Sequence, residues 1–244
     1  MTSSLAKLGG LLLTSLVLLL GCANRPAQPV EAEVIRPVPQ KLALVAVMEP
    51  PRLTIENRGS AWGVLAVPGF LIQRSIESGR ADSLTQAMRA QGLHLGEEMT
   101  AALGEELMRL GYTVEVIRNV KRPKDDPESV VLESIETDAD AIVTARYFGA
   151  GLYAGQFSTN YLPRLNVDID VVSKADQSEL HSHSIYYGAD ARERTDDQIP
   201  AAPQYAYASY DQVWDKQREV SEGFRLGVRQ IAAQAARQLQ KVGR

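Results

Sequence analysis

Leu110-Gly111-Tyr112-Thr113-Val114-Glu115-Val116-Ile117 carries a helix stop followed at once by a strand pattern. Upstream of it Leu84, Met88, Leu95, Met99, Leu103, Leu107 and Leu110 recur three or four apart once Gly92 is allowed on the stripe, the spacing of one apolar helix face. Asp82-Ser83 offers a cap, so the pattern predicts a long helix to Leu110, with a break near Gln91-Gly92 where two glycines weaken it. Gly111 supplies the stop, because glycine takes the left-handed conformation that ends a helix without a Cβ penalty. The β-branched run from Tyr112 to Ile117 then reads as a strand.

Lys41 to Met48 is a nearly continuous apolar run that stops at Pro50-Pro51, as a strand buried on both faces would. A short strand is expected at Leu53-Thr54-Ile55. Asp138-Ala139-Asp140 leads into a strand from Ala141 to Phe148, after a short helix predicted over 129–137. Gly149 to Pro163 reads as a loop. Leu165, Val167, Ile169 and Val171 alternate with Asn166, Asp168 and Asp170, which marks a half-exposed strand, and Leu180 to Tyr187 is its hairpin return. Ala189 to Asp211 is a polar excursion, and a final amphipathic helix is expected from about Gln212 to Val242, with Gly223 and Gly227 permitting close packing or a kink. The expected class is α+β: a two-layer mixed sheet with helices packed mainly on one face.

The amino terminus has a different character. Lys7 precedes an apolar run that ends at Leu19-Leu20-Gly21-Cys22, the layout of a secretory signal, and the run is too short for a mature membrane-spanning helix. Cys22 is the only cysteine, so no intrachain disulfide is available. Residues 23–40 hold Pro26, Pro29, Pro37 and Pro39, and read as an extended tether that reaches roughly 55 Å at ~3.1 Å per residue. The expected organisation is a signal over 1–21, an anchor residue and tether over 22–40, and a single α+β domain over 41–244.

Two resemblances follow from these residues. Leu19-Leu20-Gly21-Cys22 resembles the lipobox of bacterial lipoproteins, which implies cleavage before Cys22 and acylation of its thiol and new amino group. Ala23 stands where aspartate would imply inner-membrane retention in enteric-type bacteria, so the resemblance implies the outer membrane, with the domain facing the periplasm. The helix-Gly-aromatic-strand pattern at 110–114, followed by Asp138-Ala139-Asp140-Ala141-Ile142-Val143, resembles periplasmic lipoproteins with the fold of the TolB amino-terminal domain, among them curli-secretion and penicillin-binding-protein-activator lipoproteins. That resemblance covers about Lys41 to Lys241 and carries over no functional residue beyond Cys22.

Composition narrows the function classes. The net charge is −4, and about −5 once the segment carrying Lys7 is removed, which gives no electrostatic ground for nucleic-acid binding. No nucleophile elbow, phosphate loop or zinc-protease signature is present. His181 and His183 are two apart on a strand, and so are Asp168 and Asp170. Each pair could seat a metal, but a solvated strand face explains both, so neither a metal nor another cofactor is expected. The expectation is a non-enzymatic lipoprotein held to the membrane through Cys22. It would act as a protein-interaction module in envelope assembly, secretion or transport, binding an envelope protein or self-associating. The alternative is a carrier of a lipid or other amphiphile. Candidate contact residues are Trp62, Phe70 and Leu71, from the apolar stretch 61–72, and Tyr205, Tyr207 and Tyr210, which cluster before Trp214. A closed apolar cavity under 61–72 would favour the carrier, and an exposed patch beside the tyrosines would favour docking.

Overall fold

The computed structural model describes residues 38–58, 67–155, 158 and 160–242, without the side chains of 67–74, 241 and 242. Its strands are β1 (Lys41–Val45), β2 (Thr54–Asn57), β3 (Thr113–Ile117), β4 (Ala141–Ala154), β5 (Leu162–Ser173), β6 (Glu179–Gly188) and β7 (Gln198–Ile199). The helices are α1 (Val67–Ala90), α2 (Leu95–Arg109), α3 (Tyr210–Asp215) and α4 (Gln217–Val242). All seven strands form one mixed sheet in the order β3-β1-β4-β5-β6-β7, with β2 beside the second half of β4. β1 is parallel to β3 and β4, while β4, β5 and β6 run antiparallel in sequence. The class is α+β, as the alternation of patterns predicts.

β1 is buried on both faces for different reasons. Leu42 and Leu44 join the main core under the helices, and Ala43 and Val45 join a smaller cluster with Ile135, Ala139 and Ile142 on the opposite face. The segment between β3 and β4 therefore covers that end of the second face. It does so with one 3₁₀ turn, Leu132–Ser134, in place of the helix expected over 129–137. The Asp138-Ala139-Asp140 motif has a structural role here. The Asp140 carboxylate accepts the backbone N–H groups of Gln40 and Lys41, each at 2.8 Å, and Lys41 pairs with Asp138. Those two N–H donors hold the Asp140 carboxyl below the usual carboxylate range.

The expected long helix is two helices. α1 runs unbroken through Asp82-Ser83, which therefore caps nothing: Ser83 donates back to the Gly79 carbonyl (3.0 Å) and Asp82 pairs with Arg52 (3.2 Å). It begins at Val67, where Pro68 falls in the first turn and gives up no hydrogen bond the helix needs. Gly92, at φ +70°, ends α1, and Gly111, at φ +96°, ends α2. Among the described residues, no helix is long and apolar enough to cross a membrane.

β4 continues to Ala154 and absorbs much of the loop expected at 149–163. Its register with β5 slips between Tyr147 and Gly149, so Phe148 is an extra residue. Before the bulge the odd-numbered residues Val143 and Tyr147 face the helices; after it the even-numbered Ala150, Leu152 and Ala154 do. The last helix is interrupted at Lys216, and α4 then packs its apolar face (Val220, Phe224, Val228, Ile231, Ala235, Leu239) across β5 and β6. Gly227 is the seat of the buried Tyr187 ring: a Cβ there would lie 2.6 Å from it. Gly227→Val is expected to destabilise the domain by about 1–3 kcal/mol through overpacking, read as a lower denaturation midpoint at unchanged slope.

Candidate docking surface

The candidate contact residues separate into three groups. Cys22 and Trp62 lie outside the described residues. Phe70 and Leu71 lie on the first turns of α1, with side chains outside the described set. The three tyrosines are placed in full.

Tyr207 belongs to the core. It is 1% exposed, exchanges two backbone hydrogen bonds with Tyr161 (2.7 and 2.9 Å), and cannot meet a partner. Burial, with Glu219 adding to it, pushes its hydroxyl far above the ordinary tyrosine range. Tyr205 is half-buried, with its ring against α4 at Gly223, where a Cβ would come within 2.9 Å. It anchors the excursion 189–211 to α4. Tyr210 alone reaches the surface as part of a cluster.

That cluster is built by the short helix α3. Ser209 caps it by accepting the Gln212 N–H (3.2 Å), while the Gln212 side chain accepts the Ala208 N–H (2.8 Å), a reciprocal arrangement close to a capping box. Val213 is buried and fixes the rotation of the helix, so its neighbour Trp214 must point outward, 45% exposed. The Tyr210 and Trp214 rings lie 6.5 Å apart. The Tyr210 hydroxyl donates to the Arg80 carbonyl of α1 (3.0 Å), and the Arg80 guanidinium lies over the Tyr210 ring at 4.6 Å. Ile76, one turn before Arg80, is 49% exposed. Between α1 and α3 these side chains line an open hollow of about 730 Å³, with Asp211 and Asp215 on its rim. The hollow is a shallow aromatic and aliphatic surface with acidic groups at the edge and an arginine already engaged on a ring. Neither Ile76 nor Trp214 is a contact residue that sequence patterning singles out. The only sequence sign was Val213-Trp214, two large apolar neighbours that one helix cannot bury on the same face.

The other sequence candidates fall elsewhere. Asp168 and Asp170 lie on the sheet face away from the helices, each with its own partners: Asp168 pairs with Arg146 (3.1 Å) and accepts from Ser184 (2.6 Å), and Asp170 accepts from Ser182 (2.7 Å). This is a polar cross-strand ladder. The cleft of about 550 Å³ beside it runs between the segment after β1 and the segment after β3, with Arg146 and the exposed Phe148 in its wall. The histidines require a correction. His181 and His183 lie opposite Val171 and Ile169, on the helix-covered face, and are half-buried rather than solvated. Their rings stack at 5.9 Å. Among the described residues, no group of three or more His, Cys, Asp or Glu is placed to hold a metal ion.

Burial, followed by the neighbouring His183, pushes the His181 pKa below its ordinary value of 6.5. Below about pH 6.5 the unfolded chain then binds more protons than the folded one, so stability falls as pH drops from 7 toward 5. Melting temperatures between pH 5 and 8 should decline at the acid end, and His181→Gln should flatten that decline. An equal decline in the variant would assign it to other groups.

No family model matches the chain, and no curated protein matches it. Solved structures to which it is similar include a Xanthomonas campestris protein of the DUF330 family, 10% identical, with 84% of this chain and 88% of that one covered at a TM-score of 0.44. The PelC dodecamer from Paraburkholderia phytofirmans is 10% identical, covering 82% of this chain and 89% of that one at 0.34. Lipoprotein GNA1162 from Neisseria meningitidis is 16% identical, covering 63% and 87% at 0.28.

Proposed function

We propose that this chain is a non-enzymatic lipoprotein of the bacterial envelope. It is held to the outer membrane through Cys22 and docks a protein partner on the surface between α1 and α3. The anchor reading rests on the sequence: the single cysteine stands at the lipobox position, and a proline-rich segment follows it. The observation that carries the docking reading is the pairing of Trp214 and Ile76. Both are large, apolar and about half exposed, and they line one hollow with Tyr210, Trp214 on the capped helix α3 and Ile76 on α1. Tryptophan and tyrosine on such a surface have the composition of an interface centre. Asp211 and Asp215 on the rim select a partner that brings an apolar side chain flanked by basic ones. The carrier reading turns on a closed apolar cavity under 61–72, and residues 61–66 with the side chains of 67–74 lie outside the described set.

The test is the double substitution Trp214→Asp with Ile76→Asp in the membrane-anchored chain. Each side chain is about half exposed in the free domain, so at up to about 0.5 kcal/mol per substitution the melting temperature should move by no more than about four degrees. Capture of the partner by chemical crosslinking should fall at least tenfold. Unchanged crosslinks in the variant would remove this surface from the account.

A further inference from the structure

β3 closes one side of the sheet, and among the described residues no strand pairs with its outer edge. Thr113 donates inward to the Gln40 carbonyl (3.0 Å), and the Ile117 carbonyl accepts from Ala46 (2.8 Å), so residues 113, 115 and 117 turn their backbone groups toward β1. Successive residues of a strand alternate, so the N–H and C=O groups of Val114 and Val116 point outward. Edges of natural sheets are usually guarded by lysine, proline, a bulge or a cover. β3 carries none of the first three: its single charge, Glu115, is engaged with Lys41 (3.7 Å) and Thr137 of its own domain. Instead Val116 is 41% exposed, and Met108, on the α2 helix that packs against this strand, is 53% exposed.

We infer that β3 pairs antiparallel with β3 of a second copy of this chain, Val116 opposite Val116, so that one sheet runs through both molecules. The strand's own sequence argues for a copy. In an antiparallel pair, opposed residues share a face and outward backbone groups meet outward ones, so a two-fold pair is centred on a residue; three centres, Val114, Glu115 and Val116, pair three or more residues of β3. Centring on Glu115 sets two like charges directly opposite, which is unfavourable. Centring on Val114 runs the pair into Tyr112, whose N–H already bonds the Leu107 carbonyl at the end of α2 (3.2 Å). Centring on Val116 avoids both: Glu115 then faces Ile117, Val116 is buried against its twin, and the two Met108 side chains approach the seam. The edge is complementary to itself in one register.

Single cysteine substitutions in the full chain, in membranes, test this with Cys22 alone as the blank. A hydrogen-bonded antiparallel pair holds its Cα atoms at about 5.5 Å, inside the span of a disulfide, ~4.4–6.8 Å. Val116→Cys should give an oxidant-dependent homodimer on a non-reducing gel. Thr113→Cys, whose two copies would lie about 20 Å apart at ~3.4 Å per residue, should give none. No dimer at position 116, stronger linkage from Glu115→Cys, or an adduct of another mass would each overturn the proposal. Val116→Pro deletes an outward N–H that β1 does not use, a change an edge strand tolerates. It should keep the melting transition and halve the native mass. A dimer mass that survives it would also overturn the pairing.

Discussion

Cys22→Ser is expected to release the protein from the membrane completely. Attachment through one sulfur atom is all-or-none: serine offers no thiol to acylate, and no second cysteine exists in the chain to replace it. A single acyl chain holds a protein to a bilayer only marginally, so stable retention depends on the full lipid modification that the lipobox resemblance implies. Incorporation of a labelled fatty acid should therefore vanish in the variant, and the protein should move to the soluble fraction of a cell lysate with its fold unchanged. Continued labelling, or retention in the membrane pellet without label, would contradict the anchor.

Phe224→Ala should have the largest effect on the fold. Phe224 is fully buried on α4, in the core that joins that helix to the sheet. Emptying such a site costs the transfer energy of the ring plus the cavity it leaves, about 3–5 kcal/mol. For a domain of this size that lowers the melting temperature by roughly ten degrees or more. A loss under about 1 kcal/mol would mean that α4 does not lie on β5 and β6 as described. The contrast with Trp214 is diagnostic, because the two aromatic residues stand on neighbouring helices and should fail in opposite ways, one in stability and the other in association.

α2 and the parallel strands β1 and β3 were legible because their signals are local: a stripe of leucines and methionines ended by Gly111 leads straight into a β-branched run, and Gly92 marked the break before α2. The start of α1 at Val67 was not, because Asp82-Ser83 looks like a cap and Pro68 like a breaker, whereas the proline sits harmlessly in the first turn. What was not legible depended on distant contacts. The bulge at Phe148 exchanges inward for outward residues in mid-strand, so the two halves of β4 do not share one alternation. The second half also pairs with β2, a partner far away in sequence. Val130, Leu132 and Ile135 are drawn onto Ala43 and Val45 by burial alone, with no helical period to satisfy, and a 3₁₀ turn suffices. The tyrosines illustrate the same limit at the candidate site. Tyr205, Tyr207 and Tyr210 look alike in the sequence, but the bridge to Tyr161 takes Tyr207 inside, Gly223 seats Tyr205, and only Tyr210 is left beside Trp214. The histidines show a related limit: strand spacing says that His181 and His183 share a face without saying that it is the face the helices cover.

Site-specific photocrosslinking in the membrane-anchored full chain distinguishes a docking surface between α1 and α3 from ordinary exposed surface. A photoreactive residue replaces Trp214 in one variant, Ile76 in a second, and Ser182, which lies on the polar ladder of the helix-free sheet face, in a third. One discrete adduct of the same mass is expected from positions 214 and 76, and none from position 182. Adducts of equal yield from all three positions, or adducts from position 182 alone, would contradict docking on that surface.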